Sequence, residues 1–591
     1  MPSCSFASPD RPRFAVPARL RSSLRPRPLM ALAFAAALSG LAGCATPPEE
    51  TAAAAQQPRH MVAAANPLAA EAGMAMLRKG GSAVDAAIAT ALVLGLVEPQ
   101  SSGIGGGAFL LHYAAGDRSV SAYDGRESAP REAGEDLFLK ADGEPMAFWD
   151  AVVGGRSVGT PGLLRMLEMA HQEHGRLPWA DLLAPAIALA DEGFAVSPRL
   201  NGLIAGDRFL KRYPETAAYF HDGQGQALAV GTRLRNQAYA DTLRAVADGG
   251  ADAFYKGQIA IDLVQRVRAA ADNPGFLSYA DMATYEAKKR APLCAPYRQW
   301  QVCGMPPPTS GGVAVLQILS LLETSDLAAL TPASPEAIHL VAEASRLAFA
   351  DRNRFLADSD FVDVPVDALL DRAYLQGRAA LISPQRSLGK AEPGLPAQQA
   401  HSPQQLNSPS TSHLSVVDAD GNAVSMTASI ESAFGARMMS GGFLLNNELT
   451  DFSFRPSVDG QPVANRVQAG KRPRSSMSPT LVLDRQGRFV MAIGSPGGSR
   501  IIGYTAKAVI GALDWNLSMQ EAIDLPNFVN RNGATDLEEG RGLEGAAQAL
   551  EALGHEVNLR GLTSGLHGIR LTEAGLEGGA DPRREGVVLS E

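Results

Sequence analysis

The chain is short of several things, and each shortage narrows what it can be. It has only four cysteines in 591 residues. Cys4 and Cys44 fall in the leading stretch, so the body keeps Cys294 and Cys303 alone, and any bridge there is a single staple. No apolar run is long enough to span a membrane, which takes about 20 residues; the run from Leu29 to Gly43 falls short. The body has no cluster of Lys and Arg, and the net charge is −9. That argues against a nucleic-acid partner, because a phosphate-binding surface needs clustered cations. No internal repeat is visible. The hydrophobic fraction of 46% and charged fraction of 19% are close to those of soluble globular chains, so neither a disordered nor a fibrous reading is favoured.

What is present begins with an export-type leader. Arg11, Arg13, Arg19, Arg21, Arg25 and Arg27 precede the Leu29–Gly43 run, giving a basic region followed by an apolar one. The run closes on Leu41-Ala42-Gly43-Cys44, which resembles a bacterial lipobox. On that reading residues 1–43 are removed, Cys44 carries lipid, and the protein faces the periplasm, touching the membrane only through that lipid. An ordinary cleaved signal peptide with an incidental cysteine is the alternative. Residues 44–58, rich in Ala, Pro, Gln and Glu without periodicity, read as a flexible tether. Export would place Cys294 and Cys303 in an oxidising compartment, on either side of a hairpin-like Tyr297-Arg298-Gln299-Trp300. Bonded and free thiols both remain open.

The body reads as mixed α and β. Leu68 to Lys79 has helical character and Gly80-Gly81 ends it; Ser82 with Asp85 forms a capping-box start for a second helix to about Val97. That helix is apolar nearly all round and belongs inside a layered fold. Gly103 to Ala108 superficially matches a dinucleotide fingerprint, but that motif must follow a strand and open a helix. Here a helix precedes it and Phe109 to Tyr113 reads as a strand, so nucleotide binding is set aside. Trp179–Gly193 and His339–Arg352 carry helical periodicity, and 385–410 reads as an exposed loop. Ser412 to Asp418 alternates, Asp420-Gly421 is a favoured two-residue turn, and Ala423 to Ile430 returns. With that turn Thr411 lies opposite Ile430, beside Ser429. Strands are expected at Thr480–Asp484 and Phe489–Gly494, followed by Gly497-Gly498-Ser499 and a helix to about Leu513.

A hydroxyl is a weak nucleophile at neutral pH and needs a base beside it. A chain that is cut just before a Thr gains one, since an α-amine with pKa of about 7.7–8.0 is poised to take the proton. Ser410-Thr411 fits, with Pro409 before it and a strand after it. Threonine at a strand edge is common, however, and the pattern alone does not decide.

The motifs do. Thr411-Ser412-His413-Leu414-Ser415-Val416-Val417-Asp418, Leu444 to Phe452 (LLNNELTDF), Arg474 to Thr480 (RSSMSPT) and Gly494 to Ser499 (GSPGGS) resemble, in order, motifs of the γ-glutamyltranspeptidases. So do Gly103–Gly107, Arg126-Glu127-Ser128-Ala129-Pro130 and Met305 to Gly312, and the resemblance runs from about Met61 to the C-terminal region. It implies an N-terminal nucleophile hydrolase fold, an αββα four-layer sandwich of class α/β, and cleavage between Ser410 and Thr411. A large subunit (59–410) and a small catalytic one (411–591), both from one precursor, would share a single core. No metal or other cofactor is implied. The donors would be glutathione or other γ-glutamyl compounds, and the acceptors water, amino acids or dipeptides.

The resemblance also implies roles. Thr411 is the processing residue and nucleophile, and Ser429 hydrogen-bonds its hydroxyl or amine, unless that is a plain sheet contact. Gly497 and Gly498 offer backbone N–H groups to the oxyanion. Arg126, Ser475 and Ser476 hold the donor α-carboxylate, Arg by its fork; Glu448 and Asp451 take the α-ammonium. His413 is structural. Two departures stand out, since the family commonly has Thr at 429 and Asn at 431. Glu431 would add a third carboxylate near the ammonium or signal another acyl group, as in a β-lactam side-chain acylase. The 453–471 segment is shorter than the lid of some members and has no tyrosine, which implies a more open, wetter acyl site that favours hydrolysis. A lipoprotein that only binds γ-glutamyl peptides is the remaining rival.

Overall fold

Side-chain alternation sets the layers. In the Met61–Ala64 strand, Met61 and Ala63 enter one apolar cluster and Val62 and Ala64 another, all four buried. The Gly107–Ala114 strand repeats the split, with Phe109, Leu111 and Tyr113 on one side and Ala108 and Leu110 on the other. A sheet buried on both faces must lie between two further layers. The computed structural model describes residues 59–396 and 410–591. The leader, Cys44, the tether and much of the expected 385–410 loop lie outside the described residues.

Two antiparallel sheets result. The first has seven strands in the order Val587–Ser590, Met61–Ala64, Ser412–Val417, Ala423–Ser429, Gly107–Ala114, Ser119–Gly125, Lys288–Arg290. The second has six: Gly575–Ala580, His567–Thr572, Phe489–Gly494, Thr480–Leu483, Trp300–Gly304, Leu293–Tyr297. Between them Met61, Phe109 and Leu111 pack with Leu481, Leu483 and Ile569. The helices Pro67–Arg78, Ala83–Val97 and Trp179–Glu192 cover the outer face of the first sheet. Gly311–Leu321, Pro335–Phe355 and Ile501–Leu513 cover the second. This is the expected αββα sandwich, and segments on both sides of Thr411 build each sheet. Among the described residues no helix is long and apolar enough to cross a membrane.

Local signals are met where the chemistry is local. Ser82 Oγ accepts from the Asp85 N–H and Asp85 accepts from the Ser82 N–H, closing the capping box, and every residue of Ala83–Val97 is buried. Cys294 and Cys303 pair across the Leu293–Tyr297 and Trp300–Gly304 hairpin and are joined by a disulfide. The nucleophile hairpin differs from expectation. Ser412 pairs with Ala428 and Val417 with Ala423, so the register is one residue away from the expected one. In place of a two-residue turn at Asp420-Gly421, a longer loop closes where the Asp418 N–H donates to the Asn422 carbonyl. Asp418 Oδ1 accepts from the Asp420 and Asn422 N–H groups, and Gly421 takes a left-handed φ of 83°. The aspartate side chain has organised its own turn. As a result Thr411 faces Ser429 across the hairpin, and Ile430 moves on by one.

Candidate active site

Thr411 opens the Ser412–Val417 strand under tension. Its φ is 100°, a region a β-branched residue rarely enters, at a cost of about 1–3 kcal/mol. Three bonds hold it there. Its N–H donates to the Ser101 carbonyl at 3.1 Å, its carbonyl accepts from Arg584 Nη1 at 2.9 Å, and Oγ1 lies 3.0 Å from Ser429 Oγ. Ser429 Oγ also accepts from the Glu431 N–H at 2.8 Å, which fixes its position. The glycine cluster upstream makes this possible, because a Cβ on Gly106 would run into the Ser429 carbonyl. His413 is buried with Nδ1 on Thr427 Oγ1 and Nε2 on Ser415 Oγ, a structural histidine as expected.

Thr411 and Ser429 line a cavity of ≈ 20 Å³ with Glu431, Glu448, Asp451, Ser475, Ser476, Met477, Gly498 and Ile501. That is about the space of one water molecule. A groove of ≈ 610 Å³ along Glu215, Asp262, Arg266 and Gly441 contains none of the expected site residues. Chemistry, not size, locates the site. Gly497 and Gly498 have φ of 138° and 59°, and they lead through a short turn into the Ile501–Leu513 helix. Backbone N–H groups at such a turn and helix start favour negative charge.

Arg126 is fully buried behind the cavity, and its guanidinium is already engaged. Nη1 donates to Glu448, Nη2 to Asp451 at 2.5 Å, and Nε to the Pro473 carbonyl at 3.0 Å. The groups expected to hold the two charges of a donor therefore hold each other. Burial opposes the Arg126 charge, but Glu448, Asp451 and Glu127 outweigh it and keep the guanidinium above its usual pKa. Burial raises Glu448 to about 7, Arg126 opposing and Asp451 adding to the shift. Glu431 is pushed well above the usual carboxyl range by burial, then by Asp451 and Glu448. It accepts from Ser432 Oγ at 2.8 Å. Burial and the neighbouring acids thus oppose ionisation of Glu431, the departure from the commoner asparagine.

With that geometry in view, comparison with known proteins is decisive. A family model described as Gamma-glutamyltranspeptidase matches residues 69–590. The chain belongs to the γ-glutamyltranspeptidase family. It is similar to a glutathione hydrolase proenzyme of Escherichia coli, 35% identical over 95% of this chain and 98% of that protein. It is also similar to an Acylase ACY 1 proenzyme of Pseudomonas sp. strain SE83, 37% identical over 84% of this chain and 87% of the other. Among solved structures, a cephalosporin acylase from Bacillus halodurans superposes with a TM-score of 0.78 at 27% identity, covering 92% of this chain and 98% of that one. The sandwich is accordingly the N-terminal nucleophile hydrolase fold.

Within this transpeptidase-family site, some residues carried no readable signal. Ser101 receives both the Thr411 and the Ile430 N–H, yet it lies in a loop some three hundred positions away. Asn446 and Asn447 lie within the Leu444–Phe452 motif but had no assigned role: Asn447 Oδ1 accepts from the Ser432 N–H and Asn446 Oδ1 from the Gly159 and Glu448 N–H groups, so the two shape the acidic segment. Arg352 donates to Ser476 Oγ from behind. His339, Glu343 and His555 converge elsewhere, at the Pro335–Phe355 helix. There His339 Nε2 meets the Ser383 carbonyl, His339 Nδ1 meets His555 Nε2, and His555 Nδ1 meets Thr535 Oγ1. One chain of protons satisfies all four ring nitrogens.

Proposed function

We propose that the protein is a self-processing γ-glutamyl hydrolase and transferase that acts through an ester on Thr411. The observation that carries this is the enclosure of one nucleophilic hydroxyl, two carboxylates paired to a buried arginine, two serines and the glycine turn in a single cavity. In maturation Thr411 Oγ attacks the Ser410 carbonyl, the C–N bond breaks in an N-to-O acyl shift, and water hydrolyses the ester. The strained φ of Thr411 favours the step, because cleavage releases it. The new α-amine then takes the Oγ proton while Oγ attacks the γ-carbonyl of the donor. The oxyanion forms at the Gly497 and Gly498 N–H groups, the leaving amine departs with the proton, and water or an amino acid or dipeptide amine resolves the ester. Arg126, Ser475 and Ser476 face the donor carboxylate; Glu448 and Asp451 face its ammonium.

The relatives named as acylases, together with Glu431 and the short 453–471 segment, support a second reading as an acylase of another donor. Charge separates the two. With a γ-glutamyl anilide, Arg126→Ala and Asp451→Ala should each lower kcat/KM at least about tenfold, since truncating one partner of a buried pair typically costs about 2–5 kcal/mol. With a glutaryl anilide, which lacks the ammonium, Arg126→Ala should be far the more harmful. Preference of the wild type for glutaryl donors, or indifference of γ-glutamyl turnover to Asp451→Ala, would favour the acylase.

We further propose export and anchoring through Cys44, on the support of the basic and apolar leader and its lipobox-like end. Lipid should be found on Cys44, and Cys44→Ser should leave the protein soluble or unprocessed at its leader. Recovery of unlipidated wild type cut away from the Gly43–Cys44 bond contradicts this.

A further inference from the structure

Arg352, near the end of the Pro335–Phe355 helix, is buried, and its donors go to neutral acceptors: Nε to Ser310 Oγ at 2.9 Å, Nη1 to Asn353 Oδ1 at 2.9 Å and Nη2 to Ser476 Oγ at 2.7 Å. A buried guanidinium normally has a carboxylate against it. Here the neighbouring charges are mostly of its own sign. Burial, then Arg474, lower its pKa well below the usual value; Asp451 opposes them, and Arg531 adds a smaller push downward. Asp451 is itself bonded to Arg126.

The bonds from Arg352 reach both serines of the cavity. Ser476 Oγ accepts from Nη2 and so keeps its own proton free to donate. Ser310 Oγ accepts from Nε and passes its proton to the Ser475 carbonyl at 2.7 Å, and the Ser310 N–H donates to the same carbonyl at 2.9 Å. Ser475 Oγ accepts from the Met477 N–H at 3.1 Å, which again leaves its hydroxyl proton free. Arg352 thus fixes the Ser476 hydroxyl in the donating sense directly and, through Ser310, holds the Ser475 backbone carbonyl, while the Met477 N–H orients the Ser475 hydroxyl.

We propose that Arg352 is a positioning residue for the donor α-carboxylate, acting through Ser476 directly and through Ser310 on Ser475. The inference rests on the γ-glutamyl donor reading and names the second half of its carboxylate site. Arg126, tied to the acids, bonds the Pro473 and Arg474 carbonyls just before these serines, and Arg352 bonds Ser476 Oγ and Ser310 Oγ. A donor without an α-carboxylate gains nothing from Arg352.

The test compares three anilide donors: γ-glutamyl, with both charges; glutaryl, with the carboxylate only; and 4-aminobutyryl, with the ammonium only. In wild type, the ratio of kcat/KM for γ-glutamyl to 4-aminobutyryl measures use of the carboxylate. The ratio is independent of how much of a variant is folded. Arg352→Gln should lower it at least about tenfold, with glutaryl turnover falling alongside γ-glutamyl. Arg352→Lys, which keeps the charge but not the fork, should fall in between. In a Ser476→Ala background Arg352→Gln should add much less, because the two act as a unit. If wild type itself shows no preference for carboxylate donors, the donor reading fails. If wild type shows the preference and both Arg352 variants keep it, or if the two substitutions add independently, Arg352 is only a structural residue and the proposal is overturned.

Discussion

Thr411, the proposed nucleophile, shows how little of a site is in one side chain. The sequence marks it by a proline before and a strand after, but its positive φ and its contacts with the Ser429 hydroxyl and the Ser101 carbonyl are brought to it by the fold. Glu448 is a second case, with a pKa set wholly by surroundings. It keeps its proton to about 7 in the fold against a usual 4.5, so between those values the folded state binds the extra proton. Its burial therefore costs stability as pH rises through that window, and the loss is complete above about 7. An ammonium ligand reverses the preference by favouring the ionised form. The ratio of kcat/KM for γ-glutamyl over glutaryl donors should rise as pH climbs through about 7, and Glu448→Gln should flatten it. The Thr411 amine titrates for both donors and cancels in the ratio. A wild-type ratio independent of pH, or an unchanged slope in the variant, would count against this role of Glu448. Arg126, Glu448, Asp451, Ser475 and Ser476 were legible through their motifs. Arg352 and Ser101 were not, because a buried arginine on an otherwise ordinary helix and a loop carbonyl become functional only through tertiary contact.

Elements were readable where the signal is local and opaque where a side chain overrode it. The Ser82 and Asp85 cap and the apolar Ala83–Val97 helix follow from positions a few residues apart. The nucleophile hairpin was misread by one residue because Asp420-Gly421 is a good turn, yet Asp418 makes a better loop by accepting from two backbone N–H groups. The cysteines could be read only as a pair with an open state; the hairpin register places Cys294 opposite Cys303 and joins them. This hairpin is the edge of the six-stranded sheet, away from the cavity. Replacing both cysteines by alanine should lower unfolding free energy by roughly 2–3 kcal/mol, the scale expected for closing a short loop. Turnover should stay at the wild-type rate. Denaturant titration beside an activity assay checks both, and a large loss of turnover in well-folded protein would tie the hairpin to the site.

The whole molecule shows how a chain cut before Thr411, as proposed, would remain one body. Met61–Ala64 is held between Val587–Ser590 and Ser412–Val417, and Trp300–Gly304 lies beside Thr480–Leu483, so each sheet is woven from both sides of the cut. The fragments should stay together under native conditions and part only in denaturant. That makes intact-mass measurement the most direct test of Thr411. Purified protein is quenched in denaturant during turnover of a γ-glutamyl anilide and weighed beside Thr411→Ala. The account predicts two fragments, the smaller beginning at Thr411 and carrying one γ-glutamyl group as an ester on that residue, with the variant uncut and unlabelled. Cleavage of the variant at the same bond, or a γ-glutamyl group on any other residue, would contradict it.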